Sequence, residues 1–229
     1  MKKLFTLLFC LASLSTFAQT FDHLEVPFEA NGIQLKNALA GGLNSPQITK
    51  GDFNNDGLED LYMFDRIGDV HLTFLNEGNA GQPDYKFAPE YARNFPNFAK
   101  NWSLLYDYNE DGIADLFVCV SIPFQGVRAY TGYYDSENRL AFEPYITGNT
   151  NEGIFFTQFD DNQTQVYVNP IDVPVFDDID NDGDTDILSF SVNGSYVVYY
   201  RNKSADNGYG ADSLIYVSGD ICWGKFYES

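Results

Sequence analysis

The stretch Asp178-Ile179-Asp180-Asn181-Asp182-Gly183-Asp184-Thr185-Asp186 decides how the rest of this 229-residue chain is read. It has two counterparts upstream, Asp52-Phe53-Asn54-Asn55-Asp56-Gly57-Leu58-Glu59-Asp60 and Asp107-Tyr108-Asn109-Glu110-Asp111-Gly112-Ile113-Ala114-Asp115. All three read D-x-[DN]-x-D-G-x-x-D, and each runs at once into apolar residues. Oxygen-bearing side chains at alternate positions converge on one point when glycine at the sixth position permits a sharp turn. Such a point suits a hard divalent cation that wants six to eight oxygens, and calcium fits a flexible, carboxylate-rich cage better than magnesium does. Each stretch is a candidate calcium loop.

An EF-hand would close its loop with a bidentate Glu at position twelve. Here that position holds Met63, Val118 and Ser189, none of which can chelate. The ninth position carries Asp60, Asp115 and Asp186, the natural closing ligands. The residues that follow, such as Leu61-Tyr62-Met63-Phe64 and Leu116-Phe117-Val118-Cys119-Val120, are aromatic and branched, as in strands rather than helices.

On the segments GDFNNDGLEDL, YDYNEDGIADL and DDIDNDGDTDIL, the chain resembles the FG-GAP/VCBS-type repeats of integrin-like β-propellers, across roughly residues 40 to 220. The resemblance implies an all-β fold, a β-propeller with about three blades present, hence an incomplete one. It also implies up to three calcium ions. The ligands would be Asp52, Asn54, Asp56 and Asp60 with the Leu58 carbonyl, then Asp107, Asn109, Asp111 and Asp115 with the Ile113 carbonyl. The third set would be Asp178, Asp180, Asp182 and Asp186 with the Asp184 carbonyl.

The loops begin at residues 52, 107 and 178, a spacing that fits four-stranded blades better than shorter solenoid repeats. Repeats are expected at about 40–95, 96–165 and 166–220. In the first, Leu61 to Phe64 and Val70 to Leu75 read as strands around the turn Arg66-Ile67-Gly68-Asp69. In the third, Asn193-Gly194 marks a hairpin between Asp186–Ser191 and Ser195–Arg201, with Ser213–Ser218 as a further strand. The second repeat is longer, and the excess between Tyr134 and Asn169 is expected to be an elaborated loop. Gly219 to Ser229 reads as the start of another strand.

Residues 1–18 have the pattern of a secretory signal peptide: Lys2-Lys3, an apolar run to Phe17, and small residues at Thr16 and Ala18. The mature chain is then expected to begin at Gln19 and to be extracellular, at the cell surface, or periplasmic. Phe9 before Cys10 argues against a lipoprotein, and no later stretch reads as a membrane span. With 33 Asp and Glu against 13 Lys and Arg, the formal net charge is −20, which disfavours nucleic acid and anionic membranes as partners. Cys119 and Cys222 lie in different repeats and are expected to stay reduced rather than pair.

Enzyme chemistry has little support. His23 and His71 are the only histidines, His71 on an expected strand face, and no nucleophile or phosphate-binding motif is present. Trp102, Trp223 and the run Tyr196–Tyr200 read as packing between blades, with a sugar-stacking platform as the alternative. Two function classes follow from the resemblance. One is an exported, calcium-stabilised module binding a protein or polysaccharide at the cell surface, alone or with other propeller chains or a missing C-terminal part. The alternative is the propeller domain of a polysaccharide-active enzyme such as a lyase. That reading wants charged and aromatic groups facing one cleft, whereas Lys86, Arg93, Lys100, Arg128 and Arg139 are scattered.

Overall fold

The computed structural model describes residues 26–79, 81–97, 99–120, 126–146, 155–157, 163–225 and 227. The leader reading and His23 fall outside them. The described residues form an all-β chain of several sheets, mostly antiparallel and none closed on itself. No described helix is long and apolar enough to cross a membrane.

A short hairpin comes first, β1 (Phe28–Ala30) and β2 (Ile33–Leu35). Asn31 and Gly32 between them both take positive φ, the turn geometry whose twist matches paired strands. Sheet one is an antiparallel meander of β3 (Pro46–Gly51), β4 (Asp60–Asp65), β5 (Val70–Asn76) and β6 (Tyr85–Phe87). Sheet two repeats it with β7 (Lys100–Tyr106), β8 (Asp115–Val120), β9 (Gly126–Tyr134) and β10 (Leu140–Pro144). After β11 (Phe155–Thr157) and β12 (Gln163–Gln165), sheet three follows with β13 (Val175–Asp177), β14 (Asp186–Phe190), β15 (Val197–Asn202) and β16 (Tyr216–Asp220).

Two sequence expectations need correction. The excess between Tyr134 and Asn169 is not only loop. It supplies β10, which completes sheet two, and β11 and β12, which extend sheet three by parallel pairing of β11 with β16. The described residues just beyond Asp220 do not continue as a strand either. Trp223–Lys225 forms a 3-10 turn with Gly224 and Lys225 at positive φ, which breaks the ladder.

In every sheet the loop joins the first strand to the second, so the ninth aspartate opens the second strand. Side chains alternate faces from there. Tyr62 and Phe64, at two and four residues past Asp60, pack on Leu116 and Val118, at one and three past Asp115. Phe117 and Cys119, again at two and four, enter the next core with Ile187, one past Asp186. Sheet two therefore supplies both cores from opposite faces. Side chains of Gln47 and Thr49 on β3 accept from the Ser103 and Leu105 N–H groups of β7, drawing first strands of adjacent sheets together. Arg66 adds a tie across the stack, donating to Asn101, Pro170 and Ile171 carbonyls.

Trp102 is fully buried in the core between sheets two and three, which removes it from any sugar platform. Trp223 keeps 36 % of its surface exposed. Cys119 and Cys222 are both thiols, with no bridge between them.

Candidate metal centre

Each loop folds around its first aspartate. Asp52 Oδ1 accepts from the Asp56 N–H at 3.2 Å and Oδ2 from Gly57 at 2.7 Å. Asp107 makes the same two contacts with Asp111 and Gly112, and Asp178 with Asp182 and Gly183. The fifth aspartate then accepts from position seven, as in Asp56 with Leu58, Asp111 with Ile113 and Asp182 with Asp184. Position four (Asn55, Glu110, Asn181) and position six (Gly57, Gly112, Gly183) all have positive φ. Glycine carries no Cβ penalty there, with φ of 83°, 85° and 91° at the sixth residue.

The ninth aspartate has a different place. Asp60, Asp115 and Asp186 are fully buried. One oxygen of each accepts from the second loop residue: Phe53 at 2.8 Å, Tyr108 at 3.0 Å, Ile179 at 3.0 Å. The other accepts from the third strand of the sheet: Asn76 at 2.7 Å, Gly132 at 2.8 Å, Asn202 at 2.7 Å. A carboxylate thus ties the start of the loop to a strand sixteen or seventeen residues further on. No local sequence signal announces this second partner. At Gly132 the chain also approaches closely, since a Cβ there would lie 2.2 Å from the Ala114 carbonyl oxygen.

Burial pushes these carboxyls up, Asp60 to about 6 and Asp115 to about 7, against the downward pull of their two N–H bonds. Asp186 is raised for the same reason. Neighbouring loop aspartates add to the rise, so the loops hold unfavourable negative charge that a cation would relieve.

The fit to a cation rests on donor chemistry and on an orphaned oxygen in loop one. Asn54 Oδ1 in loop one is shielded from solvent and has no hydrogen-bond partner. Loop three brings carboxylate oxygens of Asp178, Asp180 and Asp186 within 4.8 Å of one another, the one such carboxylate triad among the described residues. The Asp184 side chain, rather than pointing outward, is 2 % exposed and accepts from the Ala205 N–H, with its carboxyl raised to about 6 by burial.

Loop three also carries a resident cation that sequence spacing did not flag. Arg201 on β15 lies 2.5 Å from Asp180, 3.0 Å from Asp182 and 3.1 Å from Asp206. Loops one and two have no such neighbour at the matching strand position, which is Leu75 in sheet one and Thr131 in sheet two. Beside loop three, a cleft of about 610 Å³ is lined by Ile179, Asp180, Tyr199, Arg201, Lys203 and Trp223, among others. It gathers basic and aromatic groups, but Arg201 is already paired as above and Lys203 is paired with Asp206.

His71 sits in a network between sheets one and two. Tyr62 Oη lies 2.7 Å from both His71 Nδ1 and Ser103 Oγ, and His71 Nε2 lies 3.2 Å from the Pro96 carbonyl oxygen. Nε2 must carry the proton to meet a carbonyl, so Nδ1 is the acceptor. Burial lowers the imidazole to about 4, keeping it neutral, and Tyr62 and Ser103 are fully buried. This is a core polar network rather than a nucleophile open to substrate. No protein-family model matches the chain, and no curated protein and no solved structure matches it either.

Proposed function

We propose that this chain is an exported, calcium-stabilised repeat module of the β-propeller type that binds a protein or polysaccharide partner at the cell surface. The metal is structural. The observation that carries the reading is the threefold recurrence of one loop geometry, each copy folded around its first aspartate and closed by a buried ninth aspartate that bonds to the loop start and to the third strand. In this reading Asp52, Asn54, Asp56 and Asp60 hold one calcium ion, Asp107, Asn109, Asp111 and Asp115 a second, and Asp178, Asp180, Asp182 and Asp186 a third. The carbonyls of Leu58, Ile113 and Asp184 complete the cages.

Calcium supplies charge neutralisation at the loop, and the residues around it do the rest. The first aspartate shapes the turn, the ninth fixes the loop to its sheet, and the positive-φ residues at four and six let the chain reverse. Because the apo loops concentrate like charge, metal binding and folding are coupled. Support for a propeller-like arrangement comes from meanders that stack with one polarity, sheets one and two approaching through their first strands. The test is thermal unfolding of the mature chain with calcium and with a chelator. An unchanged melting temperature on chelation overturns the calcium reading.

A further inference from the structure

The stacking polarity leaves a different half-interface at each end. Inside the stack, the giving face consists of the second loop residue and those two and four past the ninth aspartate. Phe53, Tyr62 and Phe64 form it in sheet one, and Tyr108, Phe117 and Cys119 in sheet two; all are buried. In sheet three the same positions are Ile179, Leu188 and Phe190, and all are only half-buried. The receiving face shows the mirror pattern. Leu116 and Val118 in sheet two, and Ile187 and Ser189 in sheet three, are buried, whereas Leu61 and Met63 in sheet one are half-buried. Beside them Ile48 is 56 % exposed, and beside Leu188 on the giving face Val175 is 50 % exposed. On sheet one the β5 side of the receiving face is already covered, with Leu72 and Phe74 buried.

We infer that a second copy of this chain occupies both ends: the giving face of sheet three on each copy seats on the receiving face of sheet one on the other. This contact extends one the chain already makes twice within itself, so each end carries the half that the opposite end lacks. The three sheets described fall short of the roughly four to eight that close a radial array, so their two end faces do not meet each other. Two copies provide six, and a head-to-tail contact made twice closes instead of propagating.

The register at the rim agrees. Position eight of loop three, Thr185, donates to the Tyr108 carbonyl of the preceding sheet at 3.2 Å. By the same register, Glu59 of one copy, which pairs with Lys50 at 2.8 Å, reaches Ile179 of the partner subunit. The cleft beside loop three is then a seat for the neighbouring sheet, not a substrate pocket.

Sedimentation velocity of the mature chain in calcium, over a roughly hundredfold concentration range, tests this. A discrete dimer is expected. Ile48→Glu on the receiving face and Val175→Glu on the giving face should each yield monomer, and both sites are open enough to accept Glu without unfolding. Near-UV circular dichroism, reporting on buried Trp102, checks that both variants keep the native core. Mixing the two variants should restore a heterodimer through the one intact interface. A wild-type monomer throughout the range overturns the inference, as does a single variant that dimerises like wild type, or a mixture that stays monomeric. Calcium titration of the same samples reports on the loops separately, so loss of the dimer and loss of the metal are told apart.

Discussion

Arg201 Nε stands 2.5 Å from Asp180 Oδ2, so the loop with the most carboxylates has a guanidinium on two of its candidate ligands, Asp180 and Asp182. By count alone, Asp178, Asp180, Asp182 and Asp186 should make the third site the tightest. One guanidinium cancels one of those four charges and brings the loop level with loop one or loop two, which have three each. Replacing Arg201 with Gln should therefore tighten the third site about tenfold, the ~1.4 kcal/mol scale of one unit charge at close range near a surface. Calorimetric calcium titration of Arg201→Gln beside wild type is the check. Equal or weaker binding would show that Arg201 supports the cage instead of competing with calcium.

The ninth and fifth aspartates should separate cleanly. Asp115→Asn keeps the shape but places an NH2 against one of two N–H donors, from Tyr108 and Gly132. It should cost about 1–3 kcal/mol in urea unfolding even without metal. Asp111→Asn, at an exposed position, should change metal-free stability little and reduce the gain on adding calcium. Equal costs for both variants without metal would remove the staple role from Asp115.

Acid should erode the benefit of calcium. Asp60 and Asp115 titrate at about 6 and 7 in the metal-free fold, above their ordinary value of 3.8. Between those values the fold binds more protons than the unfolded chain, so metal-free stability falls as pH rises through the window. Calcium must displace those protons. The difference in melting temperature between calcium-loaded and metal-free protein should be largest above pH 7 and shrink steadily toward pH 5. A difference independent of pH would place the metal away from these carboxyls.

His71 acts with the opposite sign. Its imidazole is lowered from 6.5 to about 4 by burial, so the unfolded chain takes up a proton that the fold refuses. Its contribution is whole above pH 6.5 and is lost as pH falls toward 4, amounting to about 3 kcal/mol across the window. His71→Phe should remove this slope. Comparing unfolding free energies of variant and wild type at several pH values isolates it from the carboxyls, which both proteins share.

The loop chemistry was legible from sequence because it is local. Asp at one and five, Gly at six and the strand-forming residues after position nine act on atoms within a few bonds of one another. The strands on both sides of Arg66–Asp69 and of Asn193-Gly194 came out close to where alternation put them, β4 with β5 and β14 with β15. The second repeat was harder. Nothing in Phe155–Thr157 says that it will pair in parallel with Tyr216 and Val217, some sixty residues away.

What the sequence by itself determined is three acidic turns, each feeding a strand, in an all-β chain. Tertiary structure alone decided that Asp60, Asp115 and Asp186 reach a third strand, that Arg201 enters the third loop, and that Tyr62, His71 and Ser103 share one buried network. The physical reason is that turn geometry follows from φ and short side chains, whereas these partners meet only after sheets pair and stack. Their register is set by burying alternate faces, a property of the assembled strands and not of any one stretch.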